Sequence, residues 1–321
     1  MELRAIADEV WACLQEDRGL GFSNSGLVRC GGGLVVDTFW DLPHTREMID
    51  HYASVWSAPP RRVVNTHENG DHCWGNQLFP EAEILASRAC AEGFGKTESP
   101  LAMQALRAQA HSSDAALAAL ARSLSEWDFE GIELRPPTLP FDDRLELDLG
   151  RIAAHLIHVG PAHTPGDVIV HLPESGVLFA GDVLFRLCTP IGWAGSYDAW
   201  LAALDRIVAL DPEVIVPGHG PLCGVEGPLE MKAYLEYVRS ESRAAFAAGL
   251  PALEAARRMD LGPYADWTEP QRLIFNVERA YRELRGEPWD SPIDAMALFR
   301  SMHALHQHMR SPAESADEGR E

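Results

Sequence analysis

Short apolar runs broken by glycine mark the first forty residues. Residues 27–30 and 33–37 read as two strands of a hairpin around Gly31 and Gly32. The period then lengthens. Met48, Ile49, Tyr52 and Trp56 recur at helical spacing, with Thr45 as the expected N-cap. Residues 61–65 form a short β-run, residues 71–76 begin a short helix, and residues 83–86 form another β-run. Residues 88–135 are alanine-rich, and Leu117, Leu120, Leu124 and Trp127 follow a 3.6-residue period. Two helices are expected there, with Ser113 as an N-cap.

From Leu139 the strand pattern returns at residues 145–147, 152–158, 168–170 and 177–179. The last two are continuous apolar runs, as expected of strands covered on both faces. Trp200, Leu201, Leu204, Ile207 and Val208 mark a helix, and residues 214–216 another strand. Beyond about residue 226 the pattern is helical. One stripe runs through Met231, Tyr234, Leu235 and Val238. A second runs through Leu273, Ile274, Val277, Tyr281 and Leu284 and ends at Gly286 as a C-cap. His303, His306 and His308 lie in the last helical stretch, with no carboxylate or thiol interleaved, so they read as a surface helix. Residues 311–321 are polar and charged and are expected to be disordered. Two β-rich halves, each followed by helices, predict one α+β domain over residues 1–310, a four-layer αβ/βα sandwich. Its helical insertion covers about residues 88–135 and its C-terminal helices about 226–310.

Composition narrows the functional classes. The chain has 321 residues, 46% of them hydrophobic, and a formal net charge of −21. Such a surface repels phosphate backbones, so nucleic acid is not an expected partner. There is no run of about 18 apolar residues and no basic segment leading into an apolar one, so neither a membrane span nor a signal peptide is expected. A cytoplasmic location follows as the expectation. The six cysteines form no Cys-x-x-Cys pair and read as reduced thiols. Cys73 follows His72 and Cys223 lies shortly after His219; each either approaches a metal shell or packs as a small buried residue.

The chemistry concentrates where strands give way to glycine and proline loops. His67, Asn69, Asp71 and His72 fall within six residues of one another, around the turn residue Gly70. His163 sits in a loop after a strand, Asp182 at the end of an apolar run, and His219 after the run 214–216. Imidazole and carboxylate together suit Zn²⁺ and its first-row neighbours.

Over about residues 20–225 the sequence resembles the metallo-β-lactamase superfamily of metallohydrolases. The family pattern is His-x-His-x-Asp-His, then a lone His, Asp and His; here it reads His67, Asn69, Asp71, His72, His163, Asp182 and His219. The resemblance implies the four-layer sandwich. It also implies a first metal at His67, Asn69 and His163, a second at Asp71, His72 and His219, and Asp182 bridging them. Asn69 stands in place of the second histidine. An amide oxygen is a poorer donor to Zn²⁺ than imidazole, so the expectation is one tightly held Zn²⁺ and a weak or empty partner site, with another divalent first-row metal as an alternative.

Asp71, His67 and His163 are the candidate catalytic residues. Asp71 acts through the metal, and His67 or His163 act as general base if the first site is empty. Glu68 is expected to face away. Trp74, Phe185 and Trp193 flank ligands and are candidate walls for an apolar substrate. The insertion either only packs or serves as a lid.

Residues 65–76 are also similar to actinobacterial members of the superfamily, some of which are cyclase/thioesterases acting on carrier-protein-bound aromatic polyketides. This implies a metal-activated water attacking a thioester or ester carbonyl of a small-molecule or carrier-bound acyl substrate, with Arg107 and Arg122 as a candidate docking patch. A lactonase or other carboxylic-ester hydrolase is the alternative. A binding protein of the same fold with a degraded metal site is the non-enzymatic one.

Overall fold

The computed structural model describes residues 1–96 and 98–310; the expected disordered tail, residues 311–321, lies outside them. The described residues form a seven-stranded and a five-stranded sheet. The first contains β1 (Glu2–Ala7), β2 (Val10–Leu14), β3 (Ser25–Val28), β4 (Leu34–Val36), β5 (Arg62–Val64), β6 (Glu83–Ser87) and β7 (Leu139–Phe141), each paired with the next. It is antiparallel up to β4 and parallel from β4 to β7. The second contains β8 (Arg144–Asp148), β9 (Ala153–His158), β10 (Val168–Leu172), β11 (Val177–Phe185) and β12 (Val214–His219), antiparallel except for the β11–β12 pair.

Alternation along the strands shows why the sheets stack. Leu34 and Val36 of β4 pack between the sheets with Val168, Val170, Val177 and Phe179, whereas Val35 faces the outer helix. Ile169 and Leu178 point the other way, into a third core against helices. A two-residue period that is apolar on both faces needs a cover on both sides. Helix α1 (Leu42–Ala53) covers the first sheet through Met48 and Tyr52. The second is covered by α6 (Tyr197–Ala209), α7 (Glu226–Ala247) and α9 (Leu273–Leu284), with α8 (Ala252–Arg258) beside them. This is the four-layer sandwich.

Several local expectations are corrected. The N-cap of α1 is Asp41, whose carboxylate accepts from His44 N at 2.9 Å. Thr45 lies inside the helix, where its hydroxyl donates to Asp41 O. Pro43 in the first turn fixes this earlier start. The insertion has three helices rather than two: α3 (Arg88–Gly93), α4 (Pro100–Arg107) and α5 (Ala115–Ser123). Asp114, not Ser113, caps α5, accepting from Ala116 N and Leu117 N. Asp182 lies inside β11, which runs on to Phe185.

The insertion is tied to the rest by aromatic packing of Trp127 with Phe22 and Trp40. On the far side, α10 (Ala295–Arg310), which carries the three late histidines, lies against α5, and Arg300 pairs with Asp114 at 3.2 Å. No described helix is long and apolar enough to cross a membrane.

Candidate metal centre

Five segments end at one point. The loop after β5 brings His67 and Asn69, and α2 (Gly70–Cys73) brings Asp71 and His72. The loop after β9 brings His163, β11 brings Asp182, and β12 ends on His219. The backbones approach closely. Gly181 has φ +50°, and a Cβ there would lie 2.6 Å from Thr66; a Cβ on Gly218 would overlap the Asp182 carboxylate.

The ligand-capable atoms fall into two groups, His67–His163–Asp182 and Asp71–His72–His219, each within 4.8 Å. Asp182 stands between them. Its Oδ1 is 3.1 Å from His72 Nε2; its Oδ2 is 3.3 Å from His163 Nε2, 3.4 Å from His219 Nε2 and 3.8 Å from His67 Nε2. Asp71 Oδ2 is 3.4 Å from His219 Nε2 and 3.8 Å from His72 Nε2.

Every histidine is held from behind by its Nδ1. His72 meets Asp37 Oδ2 at 2.9 Å, His67 meets Thr66 Oγ1 at 3.1 Å, His163 meets Ile191 O at 2.5 Å, and His219 meets Phe22 O at 3.0 Å. Such backing fixes ring orientation and leaves Nε2 for the centre. Asp37 also accepts from Thr66 N and Oγ1, both at 2.7 Å, and holds a left-handed backbone at φ +61°. A non-glycine residue keeps that conformation when its surroundings over-determine it, as these three bonds do. Burial pushes the Asp37 carboxyl up, against the opposing pull of His72.

The donor set fits a divalent cation. His67 Nε2, His72 Nε2 and Asp182 Oδ1 are buried with no hydrogen-bond partner; the 3.1 Å approach of the last two is not aligned as a hydrogen bond. Buried polar atoms without partners are rare, and here three converge. Their spacing also suits a tetrahedral shell, in which metal–nitrogen bonds of about 2.0–2.1 Å put corners ~3.3 Å apart. Charge agrees. Burial would raise Asp182, yet His219, His72, His163 and His67 hold it well below the usual carboxylate range. Burial and the His72 charge push His67 far down, while at His219 the Asp182 and Asp71 carboxylates overcome burial and lift it to about 10.

Above the groups lies a cavity of about 510 Å³. Its walls are mostly apolar and come from the insertion (Met103, Leu106, Leu120) and from the C-terminal segment (Trp289, Phe299). Phe185 and Trp193 line it. Phe185 also stacks on His219, with ring centroids 5.1 Å apart and planes at 9°. Trp74 does not. It is 1% exposed and packs on Trp40 and Phe129, because the turn after α2 carries it to the opposite side of the loop; Trp40 reaches the cavity instead. Glu68 is outside both ligand groups but is buried, not turned to solvent, and lines the cavity. Burial and the Asp167 charge push its carboxyl up to about 8. Cys73 donates to Asn69 O at 3.1 Å, Cys223 packs near Gly227, and neither joins a ligand group.

The sequence profile of the metallo-β-lactamase superfamily matches residues 18–219, the segment that carries both candidate ligand groups. The chain belongs to the metallo-β-lactamase superfamily. It is similar to a linear primary-alkylsulfatase of Pseudomonas sp. (strain ATCC 19151), 24% identical over 310 residues, which are 85% of this chain and 58% of that protein. Hydroxyacylglutathione hydrolase of Erythrobacter litoralis (strain HTCC2594) is 37% identical over 70 residues, 22% of this chain and 28% of that one. Among solved structures, the stereoselective inverting sec-alkylsulfatase Pisa1 from Pseudomonas sp. shares the fold at TM-score 0.66 and 17% identity, over 91% of this chain and 51% of that one. The chain thus spans about half the length of the alkylsulfatases it matches. Members of the superfamily typically bind one or two zinc ions.

Against the superfamily pattern, Asn69 is the departure. Its Oδ1 lies 2.8 Å from His163 Nε2, and its amide nitrogen faces Glu98 Oε1 at 3.4 Å. Glu98 also accepts from Gly70 N at 3.1 Å, so a carboxylate from the insertion turns the amide oxygen toward the ligand group. Burial and the Asp71 charge push Glu98 up to about 7. Nothing in the local motif pointed to Glu98 or to Asp37. Asp37 had one signal, a carboxylate at a strand end.

The loop bearing His163 is braced twice. Asp167 accepts from Ala162 N, Thr164 N and Thr164 Oγ1. Arg279, from α9, donates to Ala162 O and Ser196 O, both at 3.0 Å, and lies over Trp200.

Proposed function

We propose that the protein is a metal-dependent hydrolase that cleaves an ester or thioester bond in a substrate with a bulky apolar part. One observation carries this reading: two His/Asp groups, with Asp182 close to both, form the floor of a large cavity whose walls are mainly apolar. Asp71, His72, His219 and Asp182 would hold one ion. His67, His163 and Asn69 would hold a second, more weakly, because a neutral amide replaces an imidazole. A divalent ion there supplies Lewis acidity and activates water.

The chain's own residues do the rest. Asp37 keeps His72 Nε2 aimed inward. Where the weaker ion is absent, His67 Nε2, which has no hydrogen-bond partner, would take a proton from the attacking water, and His163 Nε2 would do so only once turned from Asn69 Oδ1. The apolar walls exclude bulk water and hold the substrate over the floor. A thioester has a good leaving group and little resonance, so one Lewis acid and one base suffice. An amide also needs its leaving group protonated. The reading therefore favours aryl or acyl thioesters over β-lactams, with lactones and other carboxylic esters next. A carrier-bound substrate would dock on the insertion near Arg107 and Arg122.

A second reading is sulfate-ester cleavage. The alkylsulfatase match supports it, because that match runs through 85% of the chain and so takes in helices beyond residue 219. The test is a panel of thioesters, lactones, sulfate esters and β-lactams, run on protein of measured metal content. Thioester turnover above the rest supports the first reading, and sulfate-ester turnover alone moves the assignment to the second. Robust β-lactam turnover without thioester turnover sinks the first. Bound metal with no turnover anywhere leaves a binding protein.

A further inference from the structure

Arg272 stands directly before α9, follows a left-handed residue, Glu269 at φ +57°, and reaches the cavity wall. It is 3% exposed and is the one lysine or arginine among the described residues that line the cavity. It makes no side-chain hydrogen bond, ion pair or ring contact with any described residue. Two nitrogens of Arg279 are sealed in the protein without partners, whereas no nitrogen of Arg272 is sealed and the residue lines the cavity and the smaller pocket beside it.

None of the neighbouring acids among the described residues pairs with Arg272. Glu269 accepts from Gln271 Nε2 at 2.7 Å. Asp17 shares the Cys188 thiol as a neighbour, but it lies outside ion-pair distance and accepts from Gly19 N. Asp290 lines the cavity without pairing to Arg272. A buried guanidinium carries five donors, and leaving it without an acceptor is costly.

We propose that Arg272 is an oxyanion-binding residue, and that the cavity takes amphiphiles whose carboxylate or sulfate meets Arg272 while an apolar chain lies against Leu106, Leu120 and Phe299. Among the acids that line the cavity, Asp71, Asp182 and Asp290 repel an anion, whereas burial shifts Glu68 and Glu98 toward their neutral forms. A negative group is therefore welcome only at Arg272 or at a cation on the floor, and Arg272 sets which way round a substrate lies. Arg272 falls outside the segment matched to the superfamily, so this recognition belongs to the chain's C-terminal part.

The inference rests on the reading of this cavity as the substrate site, and its test reads binding, not turnover. Decanoate, decyl sulfate and decanol are titrated calorimetrically into the protein as purified, with the metal content of each variant measured. The wild type should bind both anions at least about ten times more tightly than decanol, the usual scale for a charge-assisted hydrogen bond. Arg272→Met should erase that preference at unchanged metal content, and Arg272→Lys should keep part of it. If only one of the two anions depends on Arg272, the site is specific for that headgroup. Equal binding of decanol and the anions by the wild type overturns the proposal, as does an undiminished preference in folded Arg272→Met. Should Arg272→Met not fold, full retention of anion affinity in Arg272→Gln overturns it equally. An inactive protein that shows the Arg272-dependent preference would lose its hydrolase assignment and keep this one.

Discussion

The floor of the cavity and its walls are made by different means. The floor hangs on strand ends, and its side chains are placed by backbones that approach so closely that only glycine fits at 181 and 218. Its histidines are pinned from behind at 2.5–3.1 Å. The walls come from α4, α5 and α10, segments far apart in sequence, held by apolar contacts and by a mostly exposed ion pair, Arg300 with Asp114. Such a pair adds only about 0–1 kcal/mol. A chemical centre needs fixed geometry, whereas a binding wall needs area and shape. Changes to the floor should therefore act through metal, and changes to the walls through substrate.

The sharpest break in this contrast is Asp71→Ala. Elemental analysis should show the loss of the tightly held ion, and turnover should fall to background. Retained metal with retained rate would end the contrast. Next is Asp37→Asn, which keeps the left-handed backbone accessible but withdraws the carboxylate behind His72. Metal affinity, read by chelator competition, should fall about 10–100-fold. Trp193→Ala changes a wall. Its kcat/KM on apolar substrates should fall about tenfold, the scale of a lost pocket contact, at unchanged metal content. A loss of metal in that variant would erase the distinction between floor and wall. The smallest expected effect is that of Asn69→His, which should raise metal stoichiometry toward a second ion. Unchanged stoichiometry would mean that something other than the amide limits the first group.

The same division explains what could be read in the sequence. His67, Asp71 and His72 were legible because a strand-loop-helix transition places neighbours in sequence around one point. His163, Asp182 and His219 were legible because each follows or ends an apolar run. Asp37, Glu98 and Trp40 were not. Each meets the centre or the cavity through packing across tens of residues, which no local period encodes. Trp74 misled for the converse reason: it is adjacent to the ligands along the chain, yet a turn of helix sends it into the core. The caps at Thr45 and Ser113 were misplaced because an aspartate nearby accepts the first helical N–H groups instead.

Arg279 crosses the line between the two regions. It grips the carbonyl of Ala162, next to His163, from a helix that also carries the cavity-facing end at Arg272. Proteins open locally in cooperative blocks, and amide protons report which backbone parts move together. The amides of Ala162 and Thr164, which donate to Asp167, should then exchange with solvent at the pace of α9 and not at that of the neighbouring strands. An excursion that lifts α9 would release the Ala162 carbonyl beside His163 and shift Arg272 at the cavity wall in a single event.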